Sequence, residues 1–100
     1  MEKNTPHYGL SAMQAKIAAS GVKAFTVAAL DGGWDMGLTT DDMLAVIAGL
    51  CGADFYKSMM TLRDHTVWQD VYHAACPNGL PAYIKLTEVA QRIVIQFKEK

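Results

Sequence analysis

The second half of the chain alternates polar and apolar residues with a period of two, and this pattern constrains the fold more than any other feature. The connections between the alternating segments are short, whereas parallel strands need a crossover of a dozen or more residues. We therefore predict a meander of four antiparallel strands, joined by turns at residues 63–65, 77–81 and 90–91. The predicted strands span residues 55–62, 66–74, 82–89 and 92–98.

The first half of the chain combines helical spacing with one stretch of mixed character. Residues 8–20 place Leu10, Met13 and Ile17 at helical intervals, and Gly21 suits the end of that helix. Residues 22–30 are rich in Val, Phe and Thr, which predicts a strand that the glycines at 32 and 33 interrupt. Thr39 and Asp42 have the spacing of a capping box. They predict a second helix that starts at Thr39 or Thr40 and ends at Gly52.

Together these elements predict an α+β fold, in which helices cover one face of an antiparallel sheet. One hundred residues suit a single domain, residues 1–100, and 51% hydrophobic residues with 19% charged ones exclude a disordered tail. The longest apolar stretch, residues 43–53, is about half the ~20 residues that a membrane span needs. No secretory signal pattern is visible, and the two cysteines form no C-x-x-C pair, so we expect a reduced, cytoplasmic protein.

Charge is unevenly distributed although the net charge is only −1. Residues 1–54 carry three basic and six acidic groups, while residues 55–100 carry six basic and four acidic groups. The composition is therefore not that of a strongly basic nucleic-acid-binding protein. The asymmetry hints at an anionic partner for the second half, and ordinary scatter of surface charge is the explanation that charge alone favours.

Alternation along the last two strands separates a core face from a polar face. The first holds Ile84, Leu86, Ile93, Ile95 and Phe97, and the second displays Tyr83, Lys85 and Lys98. Lys57, Gln69 and His73 join the polar face in one of the two possible orientations of the preceding strands. Cations, a phenol, an amide and an imidazole on one face can hold a phosphate and move protons. The alternative is a solvated sheet face with no chemistry.

Other chemical signals are weak. The three histidines at positions 7, 65 and 73 lack metal-ligand spacing, so we predict no metal site. Trp34 is expected in a loop, as an anchor for a partner, and Trp68 in the core.

Several long runs resemble a known family over the whole chain. They are M-E-K-N-T-P-H at the start, D-F-Y-K-S-M at 54–59, D-H-T-V-W-Q-D-V-Y at 64–72 and F-K-E-K at the end. These runs resemble the motility quorum-sensing regulator toxins, MqsR. The resemblance implies a RelE-like fold and a bacterial, cytoplasmic endoribonuclease that cleaves mRNA at GC-containing sites without the ribosome. It also implies a cognate DNA-binding antitoxin, MqsA-like and encoded beside the toxin. No cofactor, membrane or direct DNA contact of the toxin itself is expected.

The resemblance also implies site residues. Lys57, Gln69 and Tyr83 match positions that the family uses for activity, and the weaker matches around them are His7, Tyr56, Met59, His73 and Lys98. Tyr56 has the opposite strand parity to Lys57, so a role for it requires a strand end or a β-bulge. A neighbouring Lys98 is expected to lower the pKa of Lys57.

One departure from the family pattern bears on activity. His73 stands where the family typically has Arg, and an imidazole with an ordinary pKa of about 6.5 is a phosphate ligand only near or below that pH. We therefore expect activity to rise as the pH falls towards 6. The alternative function is a catalytically weakened or inactive toxin-fold protein that mainly binds an antitoxin or another partner.

Overall fold

The computed structural model describes residues 1–61 and 66–100 and confirms the α+β arrangement, with helices packed against one antiparallel sheet. Five strands lie in the order β1-β2-β3-β4-β5, and every neighbouring pair is antiparallel. The strands are β1 (Glu2–Lys3), β2 (Phe55–Met60), β3 (Trp68–Ala75), β4 (Pro81–Val89) and β5 (Arg92–Glu99). The helices are α1 (Leu10–Ser20), α2 (Val27–Asp35) and α3 (Thr40–Ala48), with 3₁₀ turns at Gly21–Ala24 and Gly52–Asp54.

The predicted meander is confirmed, and the sheet gains a short edge strand. β1 pairs with β2 through Glu2 opposite Met59 and Lys3 opposite Ser58. Two residues are too few to show a period, which is why β1 was not predicted from the sequence. The last residue predicted for the second-half strand 55–62, and the turn predicted at residues 63–65, lie outside the described residues.

The strand predicted at residues 22–30 is wrong. The chain forms a 3₁₀ turn, touches β5 at a single bridge between Phe25 and Ile95, and then starts helix α2. Thr26 caps this helix, because its Oγ1 accepts a hydrogen bond from the Ala29 amide at 3.0 Å. Trp34 consequently lies on α2 and not in a loop, and its side chain is 60% exposed.

The glycine pair in α2 brings the helix close to its neighbours. A Cβ on Gly32 would lie 2.1 Å from the carbonyl oxygen of Phe97, and one on Gly33 would lie 2.2 Å from Sδ of Met43. These glycines are therefore packing positions inside a helix, although such a pair in sequence is typical of a chain break.

The capping box of α3 is confirmed by reciprocal hydrogen bonds. The Thr39 amide donates to Oδ2 of Asp42 at 2.9 Å, and the Asp42 amide donates to Oγ1 of Thr39 at 3.1 Å. The helix ends at Ala48, with Gly49 as its cap, earlier than the predicted end at Gly52.

The hydrophobic core lies between the helices and one face of the sheet. Its helical side includes Met13, Ile17, Met43 and Ile47, all buried. Its sheet side includes Ile84, Leu86, Ile95 and Phe97, with Ile93 partly buried against them, as alternation predicted. The other sheet face carries no helix of the described chain, and it is called the open face below. Within the described residues no helix has the length and apolar character of a membrane span.

Candidate active site

The orientation of β3 decides which side chains share the open face. Tyr72 of β3 is buried in the core between helices and sheet. Because strand side chains alternate, Gln69, Val71 and His73 point to the open face. Strand pairing places Lys57 of β2 opposite Val71 and Tyr83 of β4 opposite His73. Of the eight predicted site residues, only His7 lies elsewhere. The seven on the open face are Tyr56, Lys57, Met59, Gln69, His73, Tyr83 and Lys98.

Three aromatic rings cross the open face in one line, and we call Tyr56, His73 and Tyr83 the aromatic row. The Tyr56 and His73 rings are stacked, with centroids 4.4 Å apart and planes 26° apart. The His73 and Tyr83 rings are 5.4 Å apart. Lys98 of β5 pairs with Tyr83 and extends the row, with its Nζ 5.3 Å from the Tyr83 centroid. The row offers ring faces next to a cation.

Tyr56 reaches this row because β2 contains a bulge. Pairing shifts between Phe55, opposite Tyr72, and Lys57, opposite Val71, so that Tyr56 is the extra residue. The bulge that a role for Tyr56 required is therefore present. Tyr56 is 53% exposed while its ring stacks on His73, and Nζ of Lys57 lies 5.3 Å from the ring centroid, so a ligand can reach the ring beside a cation.

A second line of side chains runs beside the aromatic row, and we call Lys57, Val71, Lys85 and Gln96 the lysine row. Each of these residues is the direct cross-strand partner of the next. Val71 is fully buried between two lysines whose aliphatic stems can cover it. Two ammonium groups thus flank one apolar position on the open face.

Lys57 is paired with an acidic residue that sequence reasoning did not find. Its Nζ donates to Oε2 of Glu2 at 2.7 Å, and Glu2 belongs to the edge strand β1. This hydrogen bond is the largest cause that raises the pKa of Lys57 above its ordinary value, and the Glu2 charge adds to it. The expectation that Lys98 lowers the pKa of Lys57 is therefore wrong.

Lys85 has the opposite electrostatic environment. Partial burial is the main cause that lowers its pKa, and the charges of Lys98 and Lys57 lower it further. Its Nζ lies 5.7 Å from the Tyr83 centroid, and no described residue forms an ion pair with it. Alternation placed Lys85 on the polar face, but neither its burial nor its lack of a carboxylate partner is visible in the sequence.

His73 is a stacked ring and not an exposed cation. Burial lowers its pKa, and the charge of Lys100 lowers it further, so that the neutral ring is favoured. Its Nε2 is buried without a hydrogen-bond partner among the described residues. The expected gain in activity near pH 6 rested on an ordinary histidine pKa, and the structure moves this titration to more acidic pH.

Gln69 and Met59 form the end of the site beyond the lysine row. They are direct cross-strand partners, and both side chains are half-buried. The Gln69 amide offers two donors and an acceptor that do not titrate, which suits binding and orientation of a polar ligand.

His7 lies on the helix side of the sheet. Its ring stacks on Trp68 at 5.6 Å, and its backbone amide donates to Oδ1 of Asp70 at 3.0 Å. Lys3 lies over the same tryptophan, 4.1 Å from the ring centroid, which leaves Trp68 half-buried and outside the predicted core position. The structure therefore separates His7 from the other predicted site residues.

Asp70 organises this helix side. Its carboxylate is 1% exposed and also accepts hydrogen bonds from the Tyr8 amide at 2.9 Å and from Oγ of Ser58 at 2.7 Å. These contacts tie the segment before α1 to strands β2 and β3. Asp70 thereby holds the strands whose opposite face carries Lys57 and Gln69.

A cavity of about 260 Å³ opens next to the aromatic row. Tyr83, Lys98 and Gln96 line its sheet side, and Thr26 and Ala28 at the start of α2 line the other. Its walls are mainly apolar with a few polar groups, the composition typical of small-ligand sites. No group of three or more His, Cys, Asp or Glu residues suited to a metal ion occurs in the described residues.

Comparison with known proteins agrees with the sequence motifs. Residues 5–99 match the family model described as motility quorum-sensing regulator, toxin of MqsA. The chain is 44% identical over 100 residues to the mRNA interferase toxin MqsR of Escherichia coli (strain K12), and the match covers all of both chains. The endoribonuclease class implied by the resemblance agrees with that relative's name. The chain therefore belongs to the motility quorum-sensing regulator toxin family.

Proposed function

We propose that this chain is the toxin of a type II toxin–antitoxin system and an endoribonuclease that cleaves mRNA in the bacterial cytoplasm. Cleavage is independent of the ribosome, prefers GC-containing sites and inhibits translation and growth. The single domain, residues 1–100, carries the whole activity. The observation that carries this proposal is the open face, where stacked rings and cations lie side by side on a rigid sheet.

This combination suits single-stranded RNA. Bases stack on aromatic side chains, and lysines neutralise the phosphates between them. Tyr56 presents an exposed ring, and Lys57 and Lys98 lie near the Tyr56 end and the Tyr83 end of the aromatic row. The cavity beside Tyr83 and Lys98 is the place for one base, and Gln96 in its wall supplies hydrogen bonds that can distinguish bases.

The chemistry that suits these groups is attack of the RNA 2′-hydroxyl on the adjacent phosphodiester. The 2′-hydroxyl loses its proton as its oxygen bonds to phosphorus, and the bond from phosphorus to the 5′-oxygen breaks. The leaving 5′-oxygen takes up a proton, so the products are a 2′,3′-cyclic phosphate and a 5′-hydroxyl. Lys57 stabilises the charge that develops on the phosphate, Tyr83 orients the phosphate or passes a proton, and Gln69 positions the RNA. In this mechanism the protein's own side chains supply the charge stabilisation, and no metal ion takes part.

The decisive experiment is incubation of the pure chain with a long RNA in EDTA, followed by mapping of both ends of each fragment. The proposal expects cleavage without ribosomes and fragments that end in a 2′,3′-cyclic phosphate or a 3′-phosphate. Loss of cleavage in EDTA with rescue by Mg²⁺ or Zn²⁺ would contradict the metal-free mechanism. Cleavage with no preference for GC-containing sites would contradict the proposed selectivity.

The proposed partner is a DNA-binding antitoxin of the MqsA type, encoded beside the toxin. Family membership supports it, since the family description names these toxins by that antitoxin. Co-expression is the test: the antitoxin gene should restore growth to cells that express this chain, and the two proteins should purify together.

A second candidate function is a toxin-fold protein that binds partners but cuts RNA weakly or not at all. Two observations favour it: Glu2 engages Lys57 at 2.7 Å, and His73 is held neutral where a phosphate-binding residue was expected. RNA that binds to the open face but stays intact over hours would support this function against the first.

A further inference from the structure

The lysine row contains a cation that the proposed mechanism leaves without a role. We propose that Lys85 is a further catalytic residue, which brackets the scissile phosphate together with Lys57 and stabilises its developing negative charge. This inference rests on the proposed RNA-cleaving function and deepens it.

The first argument is the position of Lys85 in the sheet. Lys57, Val71 and Lys85 are consecutive cross-strand partners on β2, β3 and β4. Neighbouring strands are about 4.8 Å apart, so the two lysine backbones stand roughly 10 Å apart with the buried Val71 between them. A phosphate above Val71 is within reach of both side chains, since each ammonium group sits on a flexible four-carbon stem.

The second argument is that Lys85 is available. Lys57 is already engaged by the Glu2 carboxylate, whereas Lys85 has no ion-pair or hydrogen-bond partner in the described part of the chain. A half-buried lysine without an acidic partner is costly to keep charged in a folded protein. An anionic ligand removes that cost, so the site favours a phosphate at this position.

The third argument is the set of groups that face Lys85. The described ionisable groups near it are Lys57 on β2, Tyr83 on β4 and Lys98 on β5, and His73 on β3 is two residues from its cross-strand partner Val71. Glu2 reaches only Lys57, and the helices cover the other face of the sheet. Burial and two neighbouring ammonium groups lower the pKa of Lys85, whereas that of Lys57 is raised. Lys85 is therefore the lysine of the row that loses its proton first as the pH rises.

Three variants test this role: Lys85→Gln, which removes the charge, Lys85→Arg, which keeps it, and Lys23→Gln as the matched control. Lys23 is exposed and lies in the 3₁₀ turn on the helix side, so its substitution changes the net charge equally without touching the open face. Loss of a charge-stabilising group costs about 10²–10³-fold in the rate of cleavage. We expect this loss for Lys85→Gln at saturating RNA, and a rate within about two-fold of wild type for Lys23→Gln.

The pH profile separates a catalytic role from a structural one. Wild-type cleavage should decline at alkaline pH as Lys85 loses its proton, and the decline should begin below the ordinary lysine pKa of about 10.4. In Lys85→Arg this alkaline decline should move to higher pH, because arginine keeps its charge where lysine loses it. A merely structural lysine would leave the decline in place. The assignment is overturned if wild type and Lys85→Arg decline at the same alkaline pH, or if Lys85→Gln keeps full activity.

Binding of an uncleavable RNA keeps the test independent of turnover. With a 2′-O-methyl oligonucleotide, Lys85→Gln should bind more weakly and reduce the salt dependence of log K by about 0.7, the value for one phosphate contact in a single strand. If wild type binds but does not cleave, the proposed nuclease function fails while this phosphate contact is still measured. If affinity and salt dependence match Lys23→Gln, Lys85 does not contact the RNA and the inference fails.

Discussion

Polar groups on the helix side of the sheet have hydrogen-bond partners within the protein, whereas several on the open face do not. On the helix side, the buried Asp70 carboxylate accepts three hydrogen bonds, from Ser58 and from the amides of His7 and Tyr8. On the open face, Nε2 of His73 and the ammonium of Lys85 have no hydrogen-bond partner among the described residues, and the Tyr56 ring is half exposed. Polar groups satisfied within the protein stabilise a fold, whereas groups left unsatisfied are available to a ligand. Substitutions on the two faces should therefore affect different properties.

The largest effect is expected from Lys57→Ala, which tests the open face. Loss of one group that stabilises charge or transfers a proton costs about 10²–10⁴-fold in rate, and we expect a loss of cleavage in that range. The denaturation midpoint should stay at the wild-type value, because the described polar contacts of Lys57 are an ion pair with the exposed Glu2 side chain and a contact with the half-exposed Tyr56 ring. Cleavage assays combined with urea denaturation measure both properties. If Lys57→Ala were unfolded, Lys57 would be a structural residue, and the proposed difference between the two faces would be wrong.

Asp70→Ala tests the helix side and should act on stability first. It leaves the Ser58 hydroxyl and two backbone amides without their buried acceptor, which costs about 3 kcal/mol of unfolding free energy. Asp31→Ala, on an exposed position of α2, is the matched control and should stay within about 0.5 kcal/mol. Urea denaturation followed by circular dichroism gives the values. A stable but inactive Asp70→Ala protein would place Asp70 in the chemistry and contradict the division.

Glu2→Gln sharpens the comparison within the open face, because it releases Lys57. At neutral pH we expect cleavage to rise roughly two- to five-fold, the scale of one exposed ion pair. Glu2 raises the pKa of Lys57, so without it Lys57 should lose its proton at a lower pH, and the alkaline decline that begins with Lys85 should become steeper. Glu99→Gln, at the end of β5, serves as the control. Slower cleavage by Glu2→Gln at every pH would instead make Glu2 a contributor to catalysis.

The smallest effect is expected at His73. His73→Arg places a permanent charge beside the aromatic row, and we expect a gain of a few-fold in cleavage or RNA affinity. Protonation of His73 should contribute no rise in wild-type activity between pH 8 and 7, because burial lowers the pKa of His73 and keeps the ring neutral there. The test is to measure the cleavage rates of wild type and His73→Arg from pH 5.5 to 8 at fixed salt. A slower His73→Arg protein at every pH would make the neutral ring itself the functional group.

The same pKa shift has a consequence for stability. The pKa of His73 is lower in the folded than in the unfolded state, so below about pH 6.5 the unfolded chain binds the extra proton first. The contribution of neutral His73 to the free energy of unfolding is complete above that pH and is lost as the pH falls towards the folded-state pKa. In His73→Gln this part of the acid sensitivity should disappear, as urea titrations at pH 7 and pH 5.5 would show.

The sequence determined the meander, the capping box of α3 and the core face of β4 and β5, because a period of two and a helix cap are local signals. It also brought Lys57, Gln69 and Tyr83 together as one set through the family motifs. It failed at α2, where the β-branched and aromatic residues of 22–30 suggested a strand. There Thr26 caps a helix, and the glycines at 32 and 33 let it approach β5 and α3, so that tertiary packing prevailed over local preference.

Only the tertiary structure decided how the open face is completed. Periodicity does not show which face of β3 meets the helices, and the buried Tyr72 and Asp70 settle that orientation. The bulge that turns Tyr56 onto the aromatic row depends on pairing between β2 and β3. The ion pair of Glu2 with Lys57 joins residues that are 55 positions apart in the chain. The low pKa of Lys85 depends on its burial and on Lys98 and Lys57, which lie on two other strands. Protonation is set by such through-space neighbours and by burial, and a linear sequence contains neither.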